Sequence, residues 1–213
     1  MEILQETTTK NGNKIELIGQ AGECKVLVIG VFHGDEPQGK YLIEKYLAQR
    51  NSNILFIPCL NPDGMAENKR TNANGVDLNR NFPTKNWGED GSAAGDNPSS
   101  YFGGSSPASE IETKFVINVI EKYRPKLIMT LHAPYKIVNY DGPAADVAQK
   151  ISDITGYPVE PSIGYPTPGS FGTYCGVERN IPTITLELDE EIPVEQLEQP
   201  VFGVFDMLSC NIF

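Results

Sequence analysis

His33 and Glu36 lie within four residues of each other, and the chain holds a single further imidazole, His132. Two imidazoles and one carboxylate form the donor set of a catalytic zinc site that keeps a fourth position open for water. Gly34 permits a sharp turn, so His33 and Glu36 could approach one ion from one tight loop. The plainer reading is a pair of loop histidines satisfied by hydrogen bonds. It explains one histidine well, but less well both together with Glu36 at the matching offset.

The flanking elements place these groups on a common edge. Residues 25–32 are a continuous run rich in Val and Ile, the pattern of a strand buried on both faces. His33 follows its C-terminal end, and His132 ends a second such run over 127–132. In open α/β sheets ligands collect outside the carboxyl ends of strands. A helix is expected after Pro37, with Leu42, Ile43, Tyr46 and Leu47 on one side, then a buried strand over 53–59. Residues 61–107 show almost no periodicity and are rich in Gly, Asn, Asp, Pro and Ser. A stretch that long within a domain is usually functional or disordered, and its content favours function.

Ser109 and Glu112 have capping-box spacing and open a helix whose buried stripe is expected at Ile111, Phe115, Val119 and Tyr123. A strand over 126–131, a short one over 137–140, a helix over 143–155, a strand over 183–188 and a closing helix over 194–210 complete the pattern. Strands alternating with helices imply an α/β/α sandwich with a mixed, mostly parallel central sheet, as a single domain over residues 1–213.

The bulk properties remove several function classes. A net charge of −11 argues against a general nucleic-acid binder, because phosphate neutralisation needs a basic surface. Hydrophobic residues at 39% and charged residues at 21% are ordinary for a globular protein. No run approaches the ~20 apolar residues that span a bilayer, and the first residues lack a basic start and an apolar core. Cys24, Cys59, Cys175 and Cys210 are scattered without a Cys-x-x-Cys pair. They read as reduced, mostly buried thiols, and the expected compartment is the cytoplasm.

Further motifs stand in register with the histidines. His33-x-x-Glu36 is followed by Asn61-Pro62-Asp63-Gly64, Arg70, Asp77-Leu78-Asn79-Arg80-Asn81-Phe82-Pro83, His132 and Glu187-Leu188. This ordered set closely resembles the zinc carboxypeptidase family across most of the chain. The resemblance implies one zinc ion held by His33, Glu36 and His132. It implies that Arg70 polarises the scissile carbonyl, that Asn79 and Arg80 hold the substrate's terminal carboxylate, and that Glu187 is the general base. A guanidinium gripping a carboxylate through two parallel hydrogen bonds suits that carboxylate role. With a one-residue gap, Tyr165 resembles the mobile tyrosine that covers the substrate. Strand alternation alone does not choose among Glu187, Asp189 and Glu191; the family pattern selects Glu187, leaving the later acids as a solvated strand end.

Within that family, Leu131-His132-Ala133-Pro134, Asn139-Tyr140-Asp141-Gly142-Pro143 and Tyr165-Pro166-Thr167-Pro168-Gly169-Ser170-Phe171-Gly172 look like bacterial murein peptide amidases. Their implied substrate is a murein tripeptide, cut between γ-D-glutamate and meso-diaminopimelate. Phe171 falls at a specificity-pocket position and is expected to fill it. A second reading is a deacylase of the succinylglutamate desuccinylase or aspartoacylase kind, which shares the His-Gly-x-Glu and Asp-Leu-Asn-Arg elements. Asn61-Pro62-Asp63-Gly64 and the Asn-Phe-Pro after Arg80 favour the peptidase. A third, an inactive zinc- or peptide-binding module, is opposed by the presence of every expected polar group.

Overall fold

The computed structural model describes the chain except for residues 21, 23–24, 90–97, 162–163 and 211–213. Its centre is an eight-stranded sheet in the order β1-β2-β4-β3-β5-β8-β6-β7. The inner strands are β3 (Val26–Gly30), β4 (Leu55–Ile57), β5 (Leu127–His132) and β8 (Thr183–Glu187). β4, β3, β5 and β8 run parallel to their neighbours in that series. β6 (Val138–Asp141) returns antiparallel along β8, and the two-residue β7 (Val159–Glu160) pairs with β6 in parallel. The sheet is therefore mixed, as expected.

Three strands escaped the sequence reading: the two-residue β7 at one edge, and a pair at the other. β1 (Glu2–Thr8) and β2 (Lys14–Gly19) form an antiparallel hairpin at one edge, joined to the sheet through β2 and β4. β1 is largely solvent-exposed and only every second residue of β2 is buried, so neither carries a continuous apolar signal.

Each face of the sheet has its own core. One packs Val28, Met129, Leu131, Ile184 and Leu186 beneath α1 (Gln38–Gln49), α4 (Ala145–Thr155) and α5 (Glu198–Ser209). The other packs Leu27, Ile29, Ile57 and Ile128 beneath α3 (Ile111–Tyr123) and the long loop. The closing helix starts later than expected, because residues 194–197 form a 3-10 turn. The capping box at α3 is not made: Ser109 Oγ donates to Glu110 Oε1 (2.6 Å), and the Glu110 amide is held by Asn81 Oδ1 (3.2 Å). Its buried stripe is also rotated. Ile111 is exposed, whereas Glu112 turns inward to accept a hydrogen bond from Asn72. Cys59 and Cys175 are buried free thiols and Cys210 is an exposed one; Cys24 lies outside the described residues. Among the described residues no helix is long and apolar enough to cross a membrane.

Phe205 of α5 is fully buried, edge-on to Tyr46 and Phe56 at ring-centroid distances of 5.0 and 5.5 Å. Truncating such a ring loses both its burial and the contacts around the resulting cavity. Phe205→Ala should lower unfolding stability by about 3–5 kcal/mol in urea titration, whereas a change under ~1 kcal/mol would show that this face repacks freely.

Candidate active site

The C-terminal ends of β3 and β5, adjacent and parallel, bring His33 and His132 together. Val31 follows β3 with φ at +54°, a left-handed backbone that is strained for a β-branched residue. The strand thus ends in an abrupt change of direction. A β-carbon at Gly34 would lie 2.0 Å from the carbonyl carbon of Gly64, so only glycine allows the loop to seat against α2 (Pro62–Glu67). In this arrangement His33 Nδ1 lies 2.7 Å from Glu36 Oε1 and 3.2 Å from His132 Nδ1. His132 Nδ1 is 3.0 Å from Glu36 Oε2.

All three residues are buried. Zinc bonded at about 2.0–2.1 Å to such atoms in tetrahedral geometry holds them roughly 3.3 Å apart. Small side-chain adjustments reach that spacing, so the residues present fit the ion. Burial opposes protonation of His33, yet the carboxylates of Glu36 and Asp77 outweigh it and push the ring's pKa up to about 9. Burial likewise opposes ionisation of Glu36, and the two imidazoles reverse this to hold its carboxyl well below the usual range. The vertex concentrates electron pairs and attracts positive charge.

The long loop is fastened to this vertex by asparagine and aspartate side chains. Asn61 caps α2, its Oδ1 accepting from the Gly64 amide (2.9 Å), with Pro62 at the first helical position. Its Nδ2 donates to Phe32 O and Arg70 O (3.3 and 3.2 Å), tying the His33 loop to the Arg70 loop. Asp63 accepts from Thr9 Oγ1 and Asn13 Nδ2, both at 2.7 Å, and so anchors the β1–β2 turn. Asn81 donates to Gly103 O, Ser106 O and Ser109 Oγ, which folds the loop back on itself.

Asp77, fully buried, is the hub that motif reading left without a role. Its Oδ1 takes His33 Nε2 (3.1 Å) and the Asn79 amide (2.8 Å), and its Oδ2 takes Arg70 Nε (3.0 Å). Bonding at Nε2 leaves His33 Nδ1 as the ligating nitrogen. Burial works against an ionised Asp77, but His33 and Arg70 overcome it and depress its carboxyl far below the ordinary range. Arg70 Nη1 lies 3.2 Å from His33 Nδ1, and both Arg70 and Arg80 stack near Tyr101, at 5.0 and 5.5 Å from its centroid. Arg80 is buried, with Nη1 on Asn79 O (2.7 Å) and Nε without a partner among the described residues. Asn79 Oδ1 accepts from the Phe171 amide at 2.9 Å.

Glu187 stands opposite His132 at the end of β8. The Tyr135 backbone lies near its carboxylate and favours the ionised form, while Oε2 is buried without a partner among the described residues. Burial and the nearby Glu36 push its pKa up, partly offset by the two histidines. Asp189 and Glu191 point elsewhere, both paired with Lys136. Tyr165 reaches the site from the far wall beside Tyr135; burial first, then Tyr135, push its pKa up to about 12. His33, Glu36, Arg70, Asn79, Arg80, His132, Tyr165 and Glu187 line one cavity of about 480 Å³. Tyr101 and Tyr135 line it too, and neither carried a sequence signal beyond its aromatic type. Phe171 departs from expectation. Although it borders the cavity, its ring is buried against Phe32 and Phe82 (5.3 and 5.0 Å), so it belongs to the core rather than filling the pocket.

Comparison with known proteins agrees with this geometry. The zinc carboxypeptidase family profile matches residues 3–153. Murein peptide amidase A of Escherichia coli K12 is 31% identical over 194 residues, which span 87% of this chain and 79% of that protein. The chain belongs to the zinc carboxypeptidase family. Murein peptide amidase A of Vibrio campbellii is 36% identical over 178 residues, 76% of this chain and 68% of that one. The crystal structure of murein-tripeptide amidase MpaA from Escherichia coli O157 superposes with a TM-score of 0.83 at 26% identity, covering 97% of this chain and 91% of that one. Thrombin-activatable fibrinolysis inhibitor shares the fold, with a TM-score of 0.71 at 16% identity over 99% of this chain and 70% of its own. The protein is thus a zinc carboxypeptidase-family hydrolase close to the murein peptide amidases. The family match ends before Tyr165 and Glu187, which the structure brings to the same cavity.

If Asp77 fixes the His33 ring through Nε2, removing its charge should loosen the metal while leaving the ligands intact. Asp77→Asn is expected to weaken zinc affinity about 10–100-fold in chelator competition. An unchanged affinity would show that Asp77 does not orient the ligand.

Proposed function

We propose that this protein, as one catalytic domain over residues 1–213, hydrolyses the amide bond between γ-D-glutamate and meso-diaminopimelate in murein peptides. The observation that carries this reading is the convergence on one cavity of a His-Glu-His vertex, two arginines and a buried Glu187 carboxylate oxygen that has no partner among the described residues. Similarity to murein peptide amidases supports the substrate, and the absence of a membrane-spanning helix among the described residues is compatible with action on soluble peptides in the cytoplasm.

His33, Glu36 and His132 would hold a single zinc ion. Such an ion supplies Lewis acidity, lowering the pKa of water toward ~7 and polarising a carbonyl. Glu187 accepts the proton of the attacking water and passes it to the leaving amine. Its raised pKa suits both transfers, since the acid form must be able to persist between them. Arg70 donates to the oxygen that gains charge as the amide carbon becomes tetrahedral. Asn79 and Arg80 fix the carboxylate of the leaving residue, which sets the scissile bond beside Glu187. Tyr165 and Tyr135 close over the far side and limit water.

Glu187→Gln keeps the size of the side chain and removes the base. Its turnover of L-Ala-γ-D-Glu-meso-diaminopimelate should fall about 10²–10⁴-fold while zinc content stays at one equivalent; near-normal turnover would remove Glu187 from the mechanism. Wild-type protein with zinc should release diaminopimelate from that tripeptide and leave N-succinylglutamate intact, as read by mass spectrometry. Release of succinate alone would transfer the site to the deacylase reading.

A further inference from the structure

Arg70 and Arg80 stand apart along the long loop, yet both guanidinium groups lie against one ring. Their central carbons are 5.0 and 5.5 Å from the ring centroid of Tyr101, within the range of a cation–π contact. Tyr101 ends the 3-10 turn Pro98–Tyr101 and lines the same cavity as both arginines. The two residues after it are fastened along the segment that carries Arg80. Phe102 O accepts from the Asp77 amide (2.9 Å), and Gly103 O accepts from Asn81 Nδ2 (2.8 Å) and Trp87 Nε1 (3.2 Å). A β-carbon at Gly103 would lie 2.7 Å from Arg80 O, so the two stretches of backbone touch. The place of the ring is thereby set by the loop that carries Arg80.

The two arginines differ in what else holds them. Arg70 meets Asp77 Oδ2 through Nε and Nη2, both at 3.0 Å, and lies 3.6 Å from Glu36 Oε1. Arg80 is buried, donates through Nη1 to Asn79 O (2.7 Å), and has no partner for Nε among the described residues. A buried cation is unfavourable unless something compensates it. A carboxylate beside Arg80 would do so, but it would also repel the substrate carboxylate that Arg80 is to receive. An aromatic ring attracts a guanidinium through its π face and uses none of its N–H donors. The donors stay free for the ligand, and the side chain is held before the ligand arrives.

We propose that Tyr101 is a positioning residue whose ring sets the place of the oxyanion arginine, Arg70, relative to the carboxylate arginine, Arg80. The inference rests on the roles given to these arginines in the amidase reading and deepens it. Arg80 fixes the leaving residue, and Arg70 meets the charge that develops on the carbonyl oxygen. Loss of the ring is felt twice, in binding through Arg80 and in turnover through Arg70.

Zinc-loaded wild type, Tyr101→Leu and Tyr101→Phe would be assayed on L-Ala-γ-D-Glu-meso-diaminopimelate. A second substrate is the same peptide with a carboxamide in place of the carboxylate next to the scissile nitrogen. On the acid, Tyr101→Leu should raise KM about 3–10-fold and lower kcat about 3–10-fold, the range of a partly desolvated cation–π contact. On the carboxamide the kcat loss should persist and the KM rise should vanish, because no carboxylate engages Arg80. Tyr101→Phe keeps the ring face and should restore both constants to within about threefold. NMR of isotope-labelled protein gives a reading free of substrate. The Nε–H resonances of Arg70 and Arg80, assigned through Arg70→Lys and Arg80→Lys, should lose a ring-current shift in Tyr101→Leu and keep it in Tyr101→Phe. Equal losses on the two peptides, a Phe variant as impaired as the Leu variant, or unmoved arginine resonances would overturn the positioning role while the amidase reading stands. If wild type cleaves neither peptide, the amidase reading falls, and the resonances alone decide whether Tyr101 holds the arginines.

Discussion

Everything at this site depends on three electron-rich side chains being held face to face out of water. Two Nδ1 atoms at 3.2 Å, both near Glu36 oxygens, repel unless positive charge lies between them. Buried charge must be paired to be tolerated, and the fold supplies pairing from behind. Asp77 bonds His33, Arg70 and the Asn79 amide at once, so one carboxylate sets a ligand's orientation, an arginine's position and the start of the substrate-carboxylate loop. The electrostatics of the vertex and the path of the long loop are one problem with one solution.

That solution constrains the backbone around it. The chain leaves β3 through a strained Val31 and must pass Gly64 at a distance no side chain permits. Asn61 then spends its whole amide on closing the gap between the His33 and Arg70 loops. Far from the metal ligands, Gly142, Gly172 and Gly176 play the corresponding part for Asp141. In both places a polar group is brought into the interior by backbone contact rather than by side-chain packing. Side-chain packing then seals the layer behind, where Phe32 stacks on His132 at 5.4 Å and meets Phe82 and Phe171.

Much of this was legible in the residues themselves. β3 and β5 are continuous apolar runs because both faces of the sheet are covered, so periodicity located the strands whose ends carry the histidines. The ordered motifs named His33, Glu36, Arg70, Asn79, Arg80, His132 and Glu187, all of which line the cavity. What escaped has a common cause. The β1–β2 hairpin lies at an edge with weak burial, and the stripe of α3 turned because Glu112 found a buried partner in Asn72, which no periodicity rule foresees. Asp77 sat inside a recognised motif, but its role comes from contacts 44 residues away in sequence. Tyr135 bears on Glu187 through its backbone, which the residue type does not reveal.

Phe171 shows why position within a motif does not by itself give chemistry. The sequence puts a large ring where a specificity pocket is expected, and a filled pocket would admit only a small leaving residue. The ring instead turns into the aromatic layer beneath His132, where burial of its area against Phe32 and Phe82 is favourable. Only its backbone amide faces Asn79. The residue after it is glycine, and the space beside that glycine is taken by the carboxylate of Asp141. The pocket is therefore long and polar instead of short and apolar. Its length follows from where one phenyl ring finds the drier surroundings.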